Sequence, residues 1–314
     1  MTIGLETIRA AQVRLAPHIH RTPVMSSRAL NALSGARLFF KCENLQKTGS
    51  FKIRGAANAI FSLSDEEARR GVVTHSSGNH AAALAYAARL RGIPAWIVMP
   101  QNAPAVKCRA VEGYGGQVTF CEPTLAARDA TAQEIIQRTG ALLIHPYNDE
   151  RIIAGQATAA MELLQEVPDL DFVLAPVSGG GLLSGTALSA KMMRKNVRVV
   201  GCEPSGADDA YRSMQAGTIQ PMENPQTMAD GLRASLCELT WGIIRERVDQ
   251  IALVTEYEIV EAMRLIWERM KIIAEPSAAV AAAPALNKQL GAEGRHVGII
   301  LSGGNVDLGK LPFA

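Results

Sequence analysis

Lys52 stands between two apolar residues, Phe51 and Ile53, in a stretch otherwise dense in polar residues and glycine. Burial disfavours the charged form of an amine, and a neutral amine can attack an aldehyde to form a Schiff base. The pattern therefore indicates a nucleophile or base at Lys52. Taken alone, a lysine in a basic loop is more often simply solvated, so this interpretation depends on other residues.

Three consecutive glycines, Gly179, Gly180 and Gly181, follow an apolar run and precede Leu182. A turn without Cβ atoms lets successive N–H groups converge on an anion, and a following helix adds partial positive charge. The turn favours a small phosphate-bearing ligand. It matches neither the P-loop nor the GxGxxG dinucleotide pattern, and an isolated GGG is also found in ordinary tight turns.

Short β-rich runs alternate with Ser/Gly-rich turns and Ala/Leu-rich stretches, as in parallel βα units. Three junctions stand out: 71–75 before the turn 76–79 and a helix over 80–91, 172–177 before the turn 178–181 and a helix from about 182 to 194, and 297–301 before the turn 302–305. Ligands of open α/β sheets bind at the carboxyl ends of the strands. We therefore expect these turns to share one cleft.

The chain has 314 residues, 48% of them hydrophobic, and a formal net charge of +2 without a Lys/Arg block. This composition argues against nucleic-acid and membrane partners and favours a small-molecule one. The first twenty residues predict a surface helix and lack the apolar run of a signal peptide. Five scattered cysteines without a CxxC pair argue against a disulfide framework or structural zinc, so we expect a cytoplasmic protein.

The βα units between the first and second junctions predict a lobe of their own. We expect a small substrate-binding domain over 71–149, inserted between the two parts of a large cofactor-binding domain, 1–70 and 150–314.

Four motifs occur in a characteristic order. They are Ser50-Phe51-Lys52-Ile53-Arg54-Gly55-Ala56, Ser76-Ser77-Gly78-Asn79-His80, Ser178-Gly179-Gly180-Gly181-Leu182 and Ser302-Gly303-Gly304-Asn305. Together they resemble the serine/threonine dehydratase and serine racemase family, which includes 3-hydroxyaspartate dehydratase-like members. The resemblance covers nearly the whole chain. It implies an α/β, fold-type II pyridoxal-phosphate enzyme, similar to the tryptophan synthase β subunit, with two open, mostly parallel domains and the cofactor in the cleft between them.

The resemblance implies that Lys52 binds the aldehyde of pyridoxal 5′-phosphate, that Phe51 packs near its ring and that Asn79 bonds its phenolic oxygen. Ser302 would face the pyridine nitrogen, and a neutral hydroxyl there favours prompt β-elimination over transamination. Glu275 would flank the cofactor, although it also reads as a surface carboxylate at a helix start. The implied cofactor-binding residues are Lys52, Phe51, Asn79, Gly179, Gly180, Gly181, Leu182, Glu275 and Ser302.

The reaction implied is loss of water and then ammonia from a small β-hydroxy amino acid, which leaves a 2-oxo acid. Lys52 would remove the Cα proton. Ser77 corresponds to the acid-base residue of racemases on the opposite face, so racemisation is an alternative activity. The substrate-binding residues implied are Ser76, Ser77, Asn79, His80 and Arg128.

Arg128 corresponds to an arginine near the substrate side chain, where it would pair with a second carboxylate. It also begins a helical stretch and is compatible with plain exposure. We rank 3-hydroxyaspartate beside serine and threonine. Ala81 and Ala82 replace a small-Gln pair of the family and Tyr147 replaces an asparagine of the racemases, so an atypical or ectoine-derived substrate stays open.

The segment 203–209 resembles the family's divalent-cation loop, with Glu203, Asp209 and the Ala207 carbonyl as ligands. Hard oxygen ligands suit Mg²⁺, Ca²⁺ or Mn²⁺. Without the resemblance, an acidic turn with solvated carboxylates would be the better interpretation. A homodimer is expected by analogy.

Two other functions fit the same residues. One is a different pyridoxal-phosphate reaction, β-replacement or threonine synthesis. The other is a non-catalytic protein that holds a phosphate-bearing metabolite at the glycine turn.

Overall fold

A computed structural model describes residues 3–76, 78–103 and 105–313. Ten strands form two sheets. The strands are β1 (Val24–Met25), β2 (Arg37–Cys42), β3 (Val72–His75), β4 (Ala95–Pro100), β5 (Gln117–Cys121), β6 (Leu142–Leu143), β7 (Phe172–Pro176), β8 (Arg198–Pro204), β9 (Gln250–Val254) and β10 (His296–Leu301).

Helices cover both sheets. They are α1 (Leu5–Leu15), α2 (Arg28–Ser34), α3 (Lys52–Phe61), α4 (Asp65–Arg69), α5 (Asn79–Arg91), α6 (Ala105–Gly113), α7 (Leu125–Thr139), α8 (Glu150–Glu166), α9 (Gly181–Met193), α10 (Asp209–Ala216), α11 (Glu238–Arg247), α12 (Glu256–Met270), α13 (Pro276–Ala279) and α14 (Ala283–Leu286). Short 3₁₀ turns lie at Glu43–Leu45, Lys47–Gly49 and Leu308–Lys310.

The larger sheet has the order β1-β2-β10-β7-β8-β9, and all of its pairs are parallel except β1 with β2. The smaller sheet has the order β5-β4-β3-β6 and is parallel throughout. Strands such as β7 are buried along their whole length because helices cover both faces, as parallel sheets require. The predicted α/β class with mostly parallel strands is confirmed.

The three predicted strand–turn junctions are present, and a helix follows the first two as expected. Helix α5 ends where Gly92 takes a left-handed conformation (φ 71°), which glycine adopts without strain. Strand β6 is short and pairs with β3 over two residues only. Pro146 follows closely and has no N–H to continue the ladder.

Helix α8 is central to the packing. It contacts α1, α3 and α9, and residues Ile152 to Leu164 along it are buried. Helix α1 packs its apolar face, including Ile8, on this group. An amphipathic helix buries one face and leaves the other in water, so the predicted surface helix also supports the core.

The two sheets have separate apolar cores, and the core of the smaller sheet also draws on Ile53 and Ile60 of α3. The domain boundaries at 70/71 and 149/150 stay a prediction. All five cysteines are free, and four are buried. Within the described residues, no helix is long and apolar enough to cross a membrane.

Candidate active site

The motifs around residues 50 and 302, which are distant in sequence, meet at the end of β10. Ser50 forms an isolated antiparallel bridge with Gly303, and the Phe51 N–H donates to the Ser302 carbonyl at 2.9 Å. Helix α3 then begins at Lys52. The reactive lysine is therefore fixed against the C-terminal edge of the larger sheet.

The Lys52 amine is half-buried, and its Nζ donates to the Pro146 carbonyl at 3.3 Å and lies 5.1 Å from the centre of the Phe51 ring. Burial lowers the pKa of Lys52 to about 8, although the Glu275 carboxylate opposes that shift. A substantial fraction of neutral amine is therefore available near neutral pH, as nucleophilic attack on an aldehyde requires.

The glycine turn opens helix α9, and Gly180 adopts a left-handed conformation (φ 89°). Among the described residues, no acceptor takes a hydrogen bond from the backbone N–H groups of Gly179, Gly180, Gly181 or Leu182. Unused amides at a helix start form an anion site. The predicted phosphate-binding residues thus offer backbone N–H donors that are available to a ligand.

Close packing leaves no room for larger residues in this turn. A Cβ on Gly180 would come within 2.7 Å of the Thr240 Cβ, and one on Gly179 within 2.4 Å of the Tyr147 ring. The Thr240 hydroxyl also donates to the Gly179 carbonyl at 2.9 Å. The close packing of neighbouring side chains therefore requires glycines in this turn, whereas an ordinary flexible turn would not need them.

The segment 145–148, which follows β6, is a part of the site that the sequence did not reveal. Its Pro146 carbonyl contacts Lys52, its Tyr147 ring packs on Gly179, and the Tyr147 Cβ lies against Gly181. Burial raises the pKa of Tyr147 to about 12, so its hydroxyl stays protonated. The replacement of asparagine by tyrosine here was noted in the sequence, but that signal did not locate the residue.

Asn79 and Glu275 form a contact between the lobe of the smaller sheet and the lobe of the larger sheet. The Asn79 side-chain Nδ2 donates to Glu275 Oε1 at 2.9 Å, and Asn305 Nδ2 donates to Asn79 Oδ1 at 2.9 Å. Asn79 begins helix α5, whereas Glu275 and Asn305 follow elements of the larger sheet's lobe. The predicted residues Asn79 and Glu275 are therefore direct neighbours.

Glu275 is buried, which rules out the alternative interpretation as a surface carboxylate. Burial, and next the Asp230 charge, raise the pKa of Glu275 to about 8. A Cβ on Gly303 would come within 2.3 Å of its Oε1. Glu275 is thus mostly protonated near neutral pH, close to the turn that carries Ser302.

The segment expected to bind the substrate carboxylate is described in part. Ser77 lies outside the described residues. The Ser76 hydroxyl accepts from the Gly78 N–H at 3.3 Å at the end of β3. His80 is buried, with Nε2 donating to the Ile144 carbonyl at 3.1 Å and no described partner for Nδ1.

Burial, and next the Lys52 charge, lower the pKa of His80 to about 3. The pKa of His145 is lowered as well. Its Nδ1 accepts from the Asn148 N–H at 2.9 Å, and burial lowers its pKa to about 4. His75 packs edge-on against His145 with ring centres 5.8 Å apart. The wall beside Lys52 therefore includes the neutral imidazoles of His80 and His145, which the sequence did not predict as a group.

Arg128 lies in the first turn of α7 and is half-buried. Its Nε is buried without a partner among the described residues. Burial lowers the pKa of neighbouring His75, and the Arg128 charge adds to that shift while Asp129 opposes it. The neighbouring Asp129 pairs with His75 at 3.4 Å. A buried guanidinium nitrogen without a partner fits a site for a ligand's anionic group better than it fits a solvated side chain.

The predicted cation loop brings Glu203 and Asp209 together, and both are buried. Glu203 accepts from the Ala210 and Tyr211 N–H groups at 3.0 and 2.8 Å, and Asp209 Oδ2 accepts from the Leu236 N–H at 3.0 Å. Asp209 Oδ1 has no partner among the described residues.

Burial raises the pKa of both carboxyl groups, and their mutual repulsion contributes at Glu203. The described residues contain no cluster of three or more His, Cys, Asp or Glu side chains for a metal. The loop offers two carboxylates and the carbonyl of buried Ala207 instead. This donor set fits a hard cation that keeps part of its water shell.

The residues also fit pyridoxal phosphate. They provide a desolvated lysine for the aldehyde, free amides for the phosphate and a buried Ser302 at the strand end for the ring nitrogen.

The model of the pyridoxal-phosphate dependent enzyme family matches residues 15–303. The chain is 51% identical to a serine racemase of Oryza sativa over 312 residues, which is 98% of this chain and 92% of that protein. It is 50% identical to a beta-hydroxyaspartate dehydratase of Paracoccus denitrificans over 308 residues, 98% of each chain.

A solved structure of maize serine racemase superposes with a TM-score of 0.96 at 50% identity, covering 98% of this chain and 95% of that one. The predicted fold type II and the dependence on pyridoxal phosphate are therefore confirmed. By its fold, its lysine and glycine-turn geometry and these similarities, the chain belongs to the family of pyridoxal-phosphate-dependent enzymes.

Proposed function

We propose that the chain is a dehydratase that converts a small β-hydroxy amino acid to a 2-oxo acid and ammonia by α,β-elimination. The observation that carries this proposal is the Lys52 amine, whose pKa is about 8, held beside a glycine turn with free amides. The similarity to a beta-hydroxyaspartate dehydratase supports the reaction class.

Bound pyridoxal phosphate supplies a sink for the electron pair that remains when the Cα proton leaves. Lys52 Nζ accepts and holds that proton, because its neutral form is populated near neutral pH. The proton held by Lys52 passes to the departing β-hydroxyl, which leaves as water, and hydrolysis of the released enamine by one water molecule then gives the 2-oxo acid and ammonia. The buried, neutral Ser302 hydroxyl would bond the ring nitrogen without forcing its protonation.

The remaining side chains hold the reactants. Asn79 would bond the phenolic oxygen while Glu275 and Asn305 fix its orientation. Phe51 would pack near the ring, and Ser76, Ser77 and the start of α5 would bind the substrate carboxylate. His80 is turned into the interior, so we place it as a support for this segment and not as a direct donor.

We propose 3-hydroxyaspartate as a substrate beside serine and threonine. Arg128 carries this proposal, because its buried Nε has no partner among the described residues and its positive charge acts on neighbouring His75. A second carboxylate on the substrate would pair with it. Replacement by methionine should raise KM for 3-hydroxyaspartate at least ~10-fold more than KM for serine.

Racemisation is the second candidate, favoured by the 51% identity to a serine racemase. It needs an acid-base group on the face opposite Lys52, and Ser77 is the residue proposed for that place. We also propose a homodimer, a cytoplasmic location and a divalent cation, Mg²⁺, Ca²⁺ or Mn²⁺, at Glu203, Ala207 and Asp209. The cation would stabilise the fold at a distance from the chemistry.

A substrate panel tests these proposals. The purified chain is mixed with serine, threonine and both 3-hydroxyaspartate diastereomers, with Mg²⁺ or with EDTA, and assayed for oxo acid, ammonia and the enantiomer of the substrate. Oxo acid and ammonia in equal amounts support the dehydratase. Formation of the opposite enantiomer of the substrate without oxo acid supports a racemase. If products form only when a thiol, or a substrate with a phosphate leaving group, is added, β-replacement or threonine synthesis is supported.

Lys52→Ala is the control for chemistry. A lysine–aldehyde bond should give yellow absorbance at about 410 nm. If the wild-type protein lacks this absorbance and turns over none of the substrates, the phosphometabolite-binding alternative is favoured.

A further inference from the structure

Helix α8 touches both helices whose first turns carry the chemistry. Lys52 is the first residue of α3, and Gly181 is the first residue of α9. Each of these helices meets α8 about one turn later, at Gly55 and at Gly185. The two halves of the cofactor site are thus joined through one helix.

The contact between α3 and α8 is backbone against backbone. A Cβ on Gly155 of α8 would lie 2.5 Å from the Arg54 carbonyl oxygen and 2.7 Å from the Gly55 Cα. That is roughly 1 Å closer than ordinary van der Waals contact allows. The Gly55 N–H, which lies in the first turn of α3, donates to the Gln156 side chain of α8 at 3.2 Å. Gly155 is therefore the point where the two helices approach most tightly.

Buried charges hold α3 in this place. The Arg54 guanidinium forms paired hydrogen bonds with Glu43 at 2.7 and 2.8 Å and with Glu162 of α8 at 2.9 and 2.8 Å. It also donates to Thr158 of α8 at 3.0 Å. Lys41 adds a bond to Glu162 at 2.6 Å, so two cations face two carboxylates in the interior. Such a network resists sliding because every displaced charge would lose a buried partner.

The contact on the other side has the same character. A Cβ on Gly185 of α9 would come within 2.6 Å of the Ala157 backbone nitrogen, and the Ser189 hydroxyl donates to the Ala157 carbonyl at 2.7 Å. Helix α8 therefore lies between α3 and α9, and at both Gly155 and Gly185 the nearest atoms are backbone atoms.

We propose that Gly155 is a positioning residue that sets the distance between the Lys52 amine and the phosphate-binding glycine turn. The aldehyde carbon and the phosphate of one rigid cofactor must reach these two places at once. A displacement of α3 by a Cβ at residue 155 moves the amine and leaves the turn where it is. The inference rests on the cofactor family alone and holds whichever substrate the enzyme uses.

Two ligands separate these effects in the full-length, cofactor-depleted protein. Pyridoxal phosphate needs both the amine and the turn, whereas pyridoxamine phosphate cannot bond covalently to Lys52 and reports mainly on the turn. In Gly155→Ala, the Kd for pyridoxal phosphate should rise ~10- to 100-fold, the scale expected of a 1 Å misplacement. The Kd for pyridoxamine phosphate should change less than about twofold.

The matched variants make the test specific. Gly185→Ala moves the turn, so both ligands should weaken together. Gly242→Ala makes the same change in helix α11, where a Cβ meets nothing within 4 Å, and should alter neither Kd. Equal losses of both ligands in Gly155→Ala, or no loss of either, would overturn the proposal.

A milder variant covers the case in which Gly155→Ala does not fold. Thr158→Val keeps the side-chain shape but removes two bonds of its hydroxyl, the one accepted from Arg54 and the one donated to the Gly155 carbonyl at 2.6 Å. The same selective weakening of pyridoxal phosphate, about threefold, is expected. An unchanged ratio of the two Kd values in this variant would count against the proposal.

Discussion

The side-chain amide of Asn79 donates to Glu275 Oε1 at 2.9 Å, across 196 residues of sequence. One residue begins a helix that packs on the smaller sheet, and the other caps a short helix beside the larger sheet. Opening of the cleft would break this bond and leave a buried group without its partner. The pair therefore links the arrangement of the two lobes to the protonation state of Glu275.

Replacing Glu275 by glutamine should flatten the dependence of stability on pH. The folded-state pKa of Glu275 is raised from 4.5 to about 8, so its protonation stabilises the fold at pH below about 4.5. This stability is lost as the pH rises towards 8, by up to about 1.4 kcal/mol per pH unit. Urea unfolding between pH 5 and 9, with cofactor saturating, measures the slope.

Glu166→Gln, at an exposed position near the end of α8, is the control and should keep the wild-type slope. A Glu275→Gln protein with that same slope would show that Glu275 does not titrate in this range.

The rate at which the cofactor-depleted protein takes up pyridoxal phosphate should rise about tenfold per pH unit up to pH 8 and level off above it. Only the neutral Lys52 amine attacks the aldehyde, and burial lowers its pKa to about 8. Stopped-flow absorbance gives the rate. A profile that keeps rising to pH 10 would mean that the amine is solvated, and Lys52→Ala should show no covalent uptake.

Gly179→Ala should weaken the cofactor by ~10-fold or more, because its Cβ would come within 2.4 Å of the Tyr147 ring. Tyr147→Ala removes that obstacle, so the double variant should bind more tightly than Gly179→Ala alone. Fluorescence titration of pyridoxal phosphate gives the four dissociation constants of the cycle. Strict additivity of the two changes would contradict the contact between this ring and the turn.

Millimolar Mg²⁺ should raise the melting temperature of the wild type by a few degrees, about the shift expected for 1 to 2 kcal/mol. Asp209→Ala should abolish the shift, because Asp209 Oδ1 is buried without a partner among the described residues and is a proposed ligand of the cation. Asp208→Ala is the matched control: Asp208 pairs with Arg212 at 2.8 Å and lies at the surface of the same loop. Equal shifts in the two variants would place the cation elsewhere.

The sequence by itself determined the alternation of strands and helices at three junctions and the glycine turn, because these are written in local patterns. Apolar runs, Ser/Gly turns and Gly92 report the conformation of a few neighbouring residues. Four motifs in order then indicated the family.

Tertiary structure decided which distant residues meet. The sequence does not show that Tyr147 packs on Gly179, that Glu275 is buried beside Asn79, or that Gly155 spaces α3 from the glycine turn. Desolvation and close packing depend on neighbours brought from far along the chain, and no local periodicity encodes them. The lowered pKa of Lys52 and the raised pKa of Glu275 therefore exist only in the folded protein.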